Sequence, residues 1–304
     1  MYVLIVGYGS IGKRHAKIPA ELNCSVSLVT SQQVKEHSVY STLNGALKST
    51  SFDYVVIANP THLHHETLLQ LIECGYRGVV LVEKPLYARS EFLPDNQIKK
   101  ILVAYNLRFH ELLLTAKEFL REEKLISFSV QVGQYLPTWR KNTDYRNCYS
   151  AKKEQGGGVL RDLSHELDYS LWFCGPCREV TAVGGKYSEL EINSDDVYAI
   201  TMRCEYCPIV TIQLNYLYRT PRREVIIQTQ QHTVVIDLIQ GVLTVDGEIK
   251  NQLPDAAGET YKKQHQAILS GDYTNCCDYA QGVAVVKLVE AIEQANSNRC
   301  WIQL

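Results

Sequence analysis

Residues 7–12 read Gly-Tyr-Gly-Ser-Ile-Gly, directly between the apolar run Tyr2-Val3-Leu4-Ile5-Val6 and a helical pattern beginning at Ile11. Three glycines in GxGxxG spacing also occur in ordinary loops, so the pattern alone constrains little. A strand before it and a helix after it narrow it to one arrangement. Gly7 permits the tight turn, Gly9 lets the backbone approach a pyrophosphate, and Gly12 allows close helix packing. The helix N-terminus, from Ser10 and Ile11 on, offers unpaired N–H donors to the phosphates. Apolar runs at 2–6, 26–30, 54–58, 79–83 and 101–105 alternate with helical patterns at 11–21 and 66–74. That alternation predicts βαβ units on a parallel sheet over residues 1–106.

A dinucleotide site for NAD usually carries an acid about 20 residues on, at the end of the second strand. Here that strand ends Val29-Thr30-Ser31-Gln32. Uncharged Thr30 and Ser31 leave a 2′-phosphate unrepelled, with Arg14 and Lys35 as candidate partners. NADP is favoured over NAD, though a site of this kind accepts either.

At 304 residues, a chain of this type divides into two domains. Its 31 basic and 33 acidic residues leave a net charge of -2, which argues against a nucleic-acid or anionic-membrane binder that works by counterion release. No apolar stretch approaches a membrane span, and the N-terminus reads as a buried strand, not an export signal. The ten cysteines, spread over a chain of this length, fit reduced thiols in a cytoplasm. Cys174-Gly175-Pro176-Cys177 has CxxC spacing but follows a helical run, and a helix C-terminus disfavours a thiolate. Cys276-Cys277 lacks partners at metal-ligand spacing, so no metal site is expected.

Further motifs follow the fingerprint in order. Asn59-Pro60-Thr61-His62-Leu63-His64-His65-Glu66 comes after the third strand and Glu83-Lys84-Pro85 after the fourth. Gly156-Gly157-Gly158-Val159-Leu160-Arg161-Asp162-Leu163-Ser164-His165-Glu166-Leu167-Asp168 lies in the second half. Together they resemble the glucose-fructose oxidoreductase, inositol dehydrogenase and rhizopine catabolism family, Gfo/Idh/MocA, over nearly the whole chain. Asn106-Leu107-Arg108-Phe109 fits its domain junction, and 279–304 its last helix and strand. The resemblance implies an N-terminal Rossmann domain over 1–106. It also implies a substrate-binding and oligomerisation α/β domain over 107–304, with a large open sheet and a final helix that packs back on the first domain. The implied chemistry is hydride transfer to or from a sugar, cyclitol or related carbonyl compound. Asn59, Pro60, His64 and Glu83 would then join the cofactor site.

Lys84 ends an apolar strand before a proline, at the carboxyl edge where doubly wound sheets bind ligands, and a cation there polarises a substrate oxygen. The resemblance places it beside the nicotinamide and suggests a cis peptide at Pro85. On a helix expected over 159–172, Leu160, Leu163, Leu167 and Leu171 form an apolar stripe. His165 lies off it, with Asp162 and Asp168 each three residues away, so either acid can orient the imidazole as a general acid/base. Family members more commonly place the acid four residues before the His, and Asp162 is equally readable as a substrate ligand. Trp139, Arg140, Tyr145 and Arg146 interleave aromatics with cations, suited to stacking on a sugar face and clamping an anion. The alternative is a loop packed on the first domain. This linker resembles a subset of the family tied to surface-polysaccharide and nucleotide-sugar pathways.

From 179 to 245 the chain is rich in β-branched residues, with turns at Cys207-Pro208 and Asp246-Gly247. A homodimer or homotetramer contact through that sheet would cover it. Three functions compete: an NAD(P)-dependent sugar or nucleotide-sugar oxidoreductase, a glycosidase using transient oxidation by bound NAD, and a non-catalytic dinucleotide-binding regulator. Retention of Lys84 and His165 counts against the last.

Overall fold

A computed structural model describes residues 1–139, 143–255 and 259–304. They form two compact units, Met1–Asn106 with Tyr261–Val286, and Leu107–Thr260 with Lys287–Leu304. Residues 107–304 are therefore not one continuous domain, because the chain returns to the first unit for Tyr261–Val286.

The first unit begins with β1 (Tyr2–Val6), α1 (Ser10–Glu21), β2 (Ser25–Val29), β3 (Ser38–Tyr40) and α2 (Leu43–Ser49). It continues with β4 (Tyr54–Ile57), α3 (His64–Glu73), β5 (Val79–Val82) and β6 (Lys100–Val103). Every residue of β4 and β5, and of β1 after Tyr2, is buried. Unbroken apolar runs of this kind suit the middle of a parallel sheet covered on both faces. β3 and α2 escape the sequence reading because they are short and carry little apolar surface. A Thr42 side-chain cap on the Gly45 N–H (3.1 Å) holds the start of α2.

The second unit contains α4 (Glu111–Phe119), β7 (Leu125–Gly133), α5 (Val159–Asp162), α6 (Ser164–Cys174), β8 (Cys177–Gly185) and β9 (Val197–Cys204). After these come β10 (Ile209–Asn215), β11 (Arg222–Thr229), β12 (Thr233–Asp237), β13 (Val242–Val245) and β14 (Glu248–Gln252). The remaining elements are α7 (Thr260–Ser270), β15 (Cys277–Asp278), α8 (Tyr279–Asn298) and β16 (Ile302–Gln303).

In the first sheet the order is β15-β6-β5-β4-β1-β2-β3, parallel except for β15 against β6. The chain winds outward from β1 to β3, then restarts on the other side of β1 with β4 and winds the opposite way. Loops leaving the carboxyl ends of β1 and β4 therefore part, which is where open α/β sheets hold their ligands.

The second sheet runs β14-β13-β12-β11-β7-β10-β9-β8-β16, antiparallel apart from the central β7–β10 pair. Asp246 (φ 53°) and Gly247 (φ 87°) form the expected tight turn between β13 and β14. α5 packs on β9 and β10, and α6 on β7 and β10. On the opposite face, alternating small and polar residues such as Thr181, Ala199, Thr211 and Gln213 stand exposed or half-buried around Val183, which is 67% exposed. No helix among the described residues is long and apolar enough to cross a membrane.

The single helix expected over 159–172 is two helices, broken at Leu163 (φ -98°, ψ 33°). α5 is anchored from outside: the Val159 N–H donates to the Asp195 carbonyl and the Leu160 N–H to Asp195 Oδ2, both at 3.0 Å. Most of α6 is buried, so its direction follows its own packing partners instead.

A Cβ on Gly12 would lie 2.1 Å from the Gly7 carbonyl oxygen, with backbone on both sides of the clash. Gly12→Ala should destabilise the protein by about 1–3 kcal/mol, the usual range for overpacking. Urea unfolding reads this directly, and an unchanged midpoint would show that the loop can yield.

Candidate functional site

Gly7 adopts φ 95°, and a Cβ there would meet Ala58 O and Asn59 N at 2.7 Å. Gly7 thus presses the first loop against the end of β4. At Gly9 the opposite holds: a Cβ would meet nothing within 4 Å. Nothing in the protein requires glycine at that place, so the open space fits a group brought from outside. Gly9 is also the N-cap of α1, with no side-chain cap and no acid in the first turn. The leading N–H groups from Ser10 and Ile11 are left for an anion, and Gly7–Gly12 fits a dinucleotide pyrophosphate.

The loops after β4 and β5 are bolted together by His64. Its Nδ1 lies 3.1 Å from both the Pro85 and Leu86 carbonyl oxygens, and its Nε2 lies 3.0 Å from the Asn59 carbonyl. Burial lowers its pKa against the raising effect of those carbonyls. Asn59 Nδ2 donates to Thr67 Oγ1 at 2.9 Å. His64 therefore holds the two loops in place at the edge where a cofactor is expected.

Glu83 is likewise held by its neighbours. Only 7% exposed, it meets His15 Nε2 at 2.7 Å through Oε1, while Oε2 accepts the Lys84 main-chain N–H at 3.0 Å. His15 Nδ1 lies 2.8 Å from His265 Nε2, and His265 Nδ1 lies 3.3 Å from the Tyr54 hydroxyl. A buried string of polar side chains thus supports the backbone from which Lys84 departs at the carboxyl end of β5. The peptide between Lys84 and Pro85 is cis. Burial raises the Glu83 pKa, but the His15 hydrogen bond and charge, with Lys84, outweigh it and hold the value low. Thr30 and Ser31 stand at the end of β2, where Thr30 Oγ1 accepts the Gln32 N–H (3.2 Å). Arg14 stacks over the Tyr261 ring at 4.9 Å.

In the second unit, Asp162 accepts a 2.6 Å hydrogen bond from the Tyr216 hydroxyl. Trp139 packs edge-on against that same tyrosine at 5.1 Å and donates its indole N–H to the Gln134 carbonyl (3.0 Å). Asp162 and Trp139, both expected from sequence, are therefore brought together by a residue that sequence reading missed. Arg140 lies outside the described residues.

Tyr145 and Arg146 are engaged elsewhere. The Tyr145 hydroxyl accepts the Glu191 N–H at 3.2 Å, and Arg146 pairs with Asp144 (2.9 Å) and Glu191 (3.0 Å). Both carboxylates partner the Arg146 guanidinium, whose side chain is half exposed.

His165 is 9% exposed on α6. Both acids flanking it on that helix, Glu166 and Asp168, have arginine partners. Asp168 takes both arms of Arg108, at 2.9 Å from Nε and 2.7 Å from Nη2, with both side chains almost fully buried. Glu166 Oε1 accepts from Arg223 Nε at 2.8 Å. Asp168 is thus half of a buried ion pair, a role its helical spacing from His165 does not reveal. Neither arginine shows a local pattern. His15 does, because it shares the buried face of α1 with Gly12, Ala16 and Pro19.

Comparison with known proteins adds the following. Residues 1–97 match an oxidoreductase family with an NAD-binding Rossmann fold, and residues 114–236 match the GFO/IDH/MocA C-terminal domain. The chain is 26% identical over 226 residues to 2,7-anhydro-N-acetylneuraminate hydratase of Escherichia coli (strain K12), covering 70% of this chain and 59% of that protein. Levoglucosan dehydrogenase of Pseudarthrobacter phenanthrenivorans is 24% identical over 210 residues, 59% of this chain and 52% of that protein. The chain thus spans little more than half the length of these curated relatives. Among solved structures, levoglucosan dehydrogenase in complex with NADH and levoglucosan superposes with a TM-score of 0.84 at 18% identity, covering 100% of this chain and 99% of that one. The WlbA dehydrogenase from Bordetella pertussis, in complex with NADH and UDP-GlcNAcA, gives 0.77 at 21% identity, with coverage of 100% and 98%.

His265 has its pKa pulled well below the ordinary value, first by burial and then by the neighbouring His15. The unfolded chain takes up that proton first, near the ordinary imidazole value of about 6.5. Stability should therefore fall as pH drops through about 6.5, because the unfolded state then binds more protons. His64 acts in the same direction, and Glu83 adds a loss below about pH 4.3. Thermal unfolding from pH 7.5 to 5 should show this slope, reduced in His265→Gln. Identical slopes in the two proteins would refute the assignment.

Proposed function

The chain belongs to the Gfo/Idh/MocA oxidoreductase family, and from that we propose that it is an NAD(P)-dependent oxidoreductase acting on a sugar or nucleotide sugar. The reaction is hydride transfer between nicotinamide and a carbinol or carbonyl carbon. One observation carries this reading: the glycine loop with open space at Gly9 lies where the strand order reverses between β1 and β4. Lys84 leaves the carboxyl end of the neighbouring strand.

In this reading Gly7, Gly9, Ser10, Ile11 and Gly12 hold the pyrophosphate. Thr30, Ser31 and Arg14 face the adenosine ribose, and Asn59 and Pro60 line the path toward Lys84. When bound, the nicotinamide supplies or accepts the hydride. Lys84 polarises the reacting oxygen, and its placement is fixed by Glu83 and the histidines behind it. His165 moves the hydroxyl proton. Asp162, held by Tyr216, serves as a substrate ligand or orients the imidazole, with Trp139 beside it as an apolar wall for the sugar. The lack of an acid after β2 favours NADP over NAD, against the NADH in the neighbouring structures. A cytoplasmic setting and self-association through the open face of the second sheet complete the reading.

Calorimetric titration with NADH and NADPH should show binding of at least one, with NADPH preferred. Binding of neither would end the enzymatic reading, and a strong NADH preference would overturn the cofactor assignment. Lys84→Ala and His165→Ala should each lower the turnover rate about a hundredfold, the scale of a lost electrostatic or acid/base group. Cofactor affinity should stay nearly unchanged. Near-normal turnover in both variants on a confirmed substrate would overturn the catalytic assignment.

A further inference from the structure

The second unit contains a cluster that the proposed reaction leaves unused. Cys204-Glu205-Tyr206-Cys207 is a second CxxC segment, and the fold sets it against Cys174-Gly175-Pro176-Cys177. Cys174 ends α6, Cys177 opens β8, Cys204 closes β9, and Cys207 lies in the turn that leads to β10. In the ladder between β8 and β9, Cys177 is the register partner of Cys204, with an irregularity in the ladder between Cys177 and Glu179. Main-chain bonds join the two segments: the Tyr206 N–H donates to the Cys174 carbonyl (2.8 Å) and the Glu205 N–H to the Pro176 carbonyl (3.0 Å). All four cysteines are buried, with no disulfide joining them in this structure. They meet in pairs, Cys174 with Cys207 and Cys177 with Cys204.

We propose that these four cysteines are a redox site that closes two disulfides, Cys177–Cys204 and Cys174–Cys207, by exchange with a small-molecule disulfide of the glutathione class. Directly opposed residues in an antiparallel ladder have Cα atoms about 4.5–5.5 Å apart, inside the span a disulfide bridges. All four thiols influence one another, Cys204 acting on Cys174 and Cys207 on Cys204, with the hydrogen-bonded contacts running Cys174–Cys207 and Cys177–Cys204. Among the described residues, no three ligand side chains converge so as to hold a metal ion.

Cys177 is the entry point. At 9% it is the most exposed of the four, and the hydrogen bond from Cys204 lowers its pKa. Burial, reinforced by Cys207, pushes the Cys174 thiol up, so Cys174 is a poor first nucleophile. The Cys177 thiolate attacks one sulfur of the small disulfide, whose S–S bond breaks; a mixed disulfide forms and one thiolate leaves and is protonated. Cys204 then gives up its proton and attacks Cys177 Sγ, expelling the second thiolate, which is protonated in turn. Two electrons pass from the cysteines to the small disulfide, which ends as two thiols. Cys207 and Cys174 react by the same two displacements. The links fasten the C-terminal end of α6 to the β9–β10 turn.

The test uses the full-length protein, reduced, desalted and incubated with oxidised glutathione, then unfolded in alkylating agent and digested with trypsin. Cleavage after Arg178 and Arg203 leaves Cys174 and Cys177 on one peptide, and Cys204 and Cys207 on another. The expected product is these two peptides joined. A second digestion after Glu205, which separates Cys204 from Cys207, combined with fragmentation before Pro176 should assign Cys177 to Cys204 and Cys174 to Cys207, and dithiothreitol should release them. The melting temperature should rise by on the order of 5 °C. Exposed Cys74 and Cys300 give an internal comparison for non-specific oxidation. Cys177→Ala should lose the joint to Cys204 only, while the wild-type map stands whether or not that variant folds. A link within either CxxC, the crossed pairing, or thiols still alkylated when Cys74 and Cys300 are oxidised would overturn the proposal. So would about one zinc per chain in the isolated protein, released on thiol modification.

Discussion

A carboxylate removed from water must be met by a cation or by several N–H donors, because its desolvation costs several kcal/mol that packing does not return. Among the described residues, four acids face this constraint. Glu83 is answered by His15 and the Lys84 main chain, Glu166 by Arg223, and Asp168 by Arg108. Asp196 is answered by the Tyr187 and Ser188 N–H groups, the Ser188 hydroxyl and Lys186. Two of these acids, Glu83 and Glu166, adjoin Lys84 and His165 in sequence, and Asp168 lies one helical turn from His165. Meeting their charges therefore fixes the backbone from which the proposed catalytic side chains project.

Within the first unit this constraint links the core to the ligand edge. His265 comes from α7, far along the chain, and reaches His15 on α1 beneath the glycine loop. Because each side chain of the string hydrogen-bonds the next, moving one member leaves a buried polar group unmatched. Lys84 is positioned in this way from below, through its own peptide N–H. Around it, His64 joins the loops after β4 and β5 through main-chain carbonyls, which a neighbouring motif residue would otherwise be expected to leave for a ligand.

Within the second unit, α5 and α6 are separate because each answers to a different partner. Asp195 takes the N–H groups at the start of α5, while Arg108 and Arg223 hold the acids of α6. The sequence shows one apolar stripe with helical spacing across both, which hides the break at Leu163. The cysteines have a similar history: CxxC at 174–177 ends a helix and argues against a thioredoxin-type site, yet the hairpin brings a second CxxC against it.

The sequence determined what local periodicity and local backbone demands control. Those are the strand–GxGxxG–helix unit, the unbroken apolar runs of the parallel strands and the Asp246-Gly247 turn. Neighbouring residues set each of these through φ/ψ restriction or a repeating burial pattern. Tertiary structure alone decided which polar groups answer one another: Arg108 with Asp168, Tyr216 with Asp162, His265 with His15, and Cys177 with Cys204. Each pair is separated by many residues, so no periodicity links its members. Burial, which forces every charge and polar atom to find a partner in space, makes the selection.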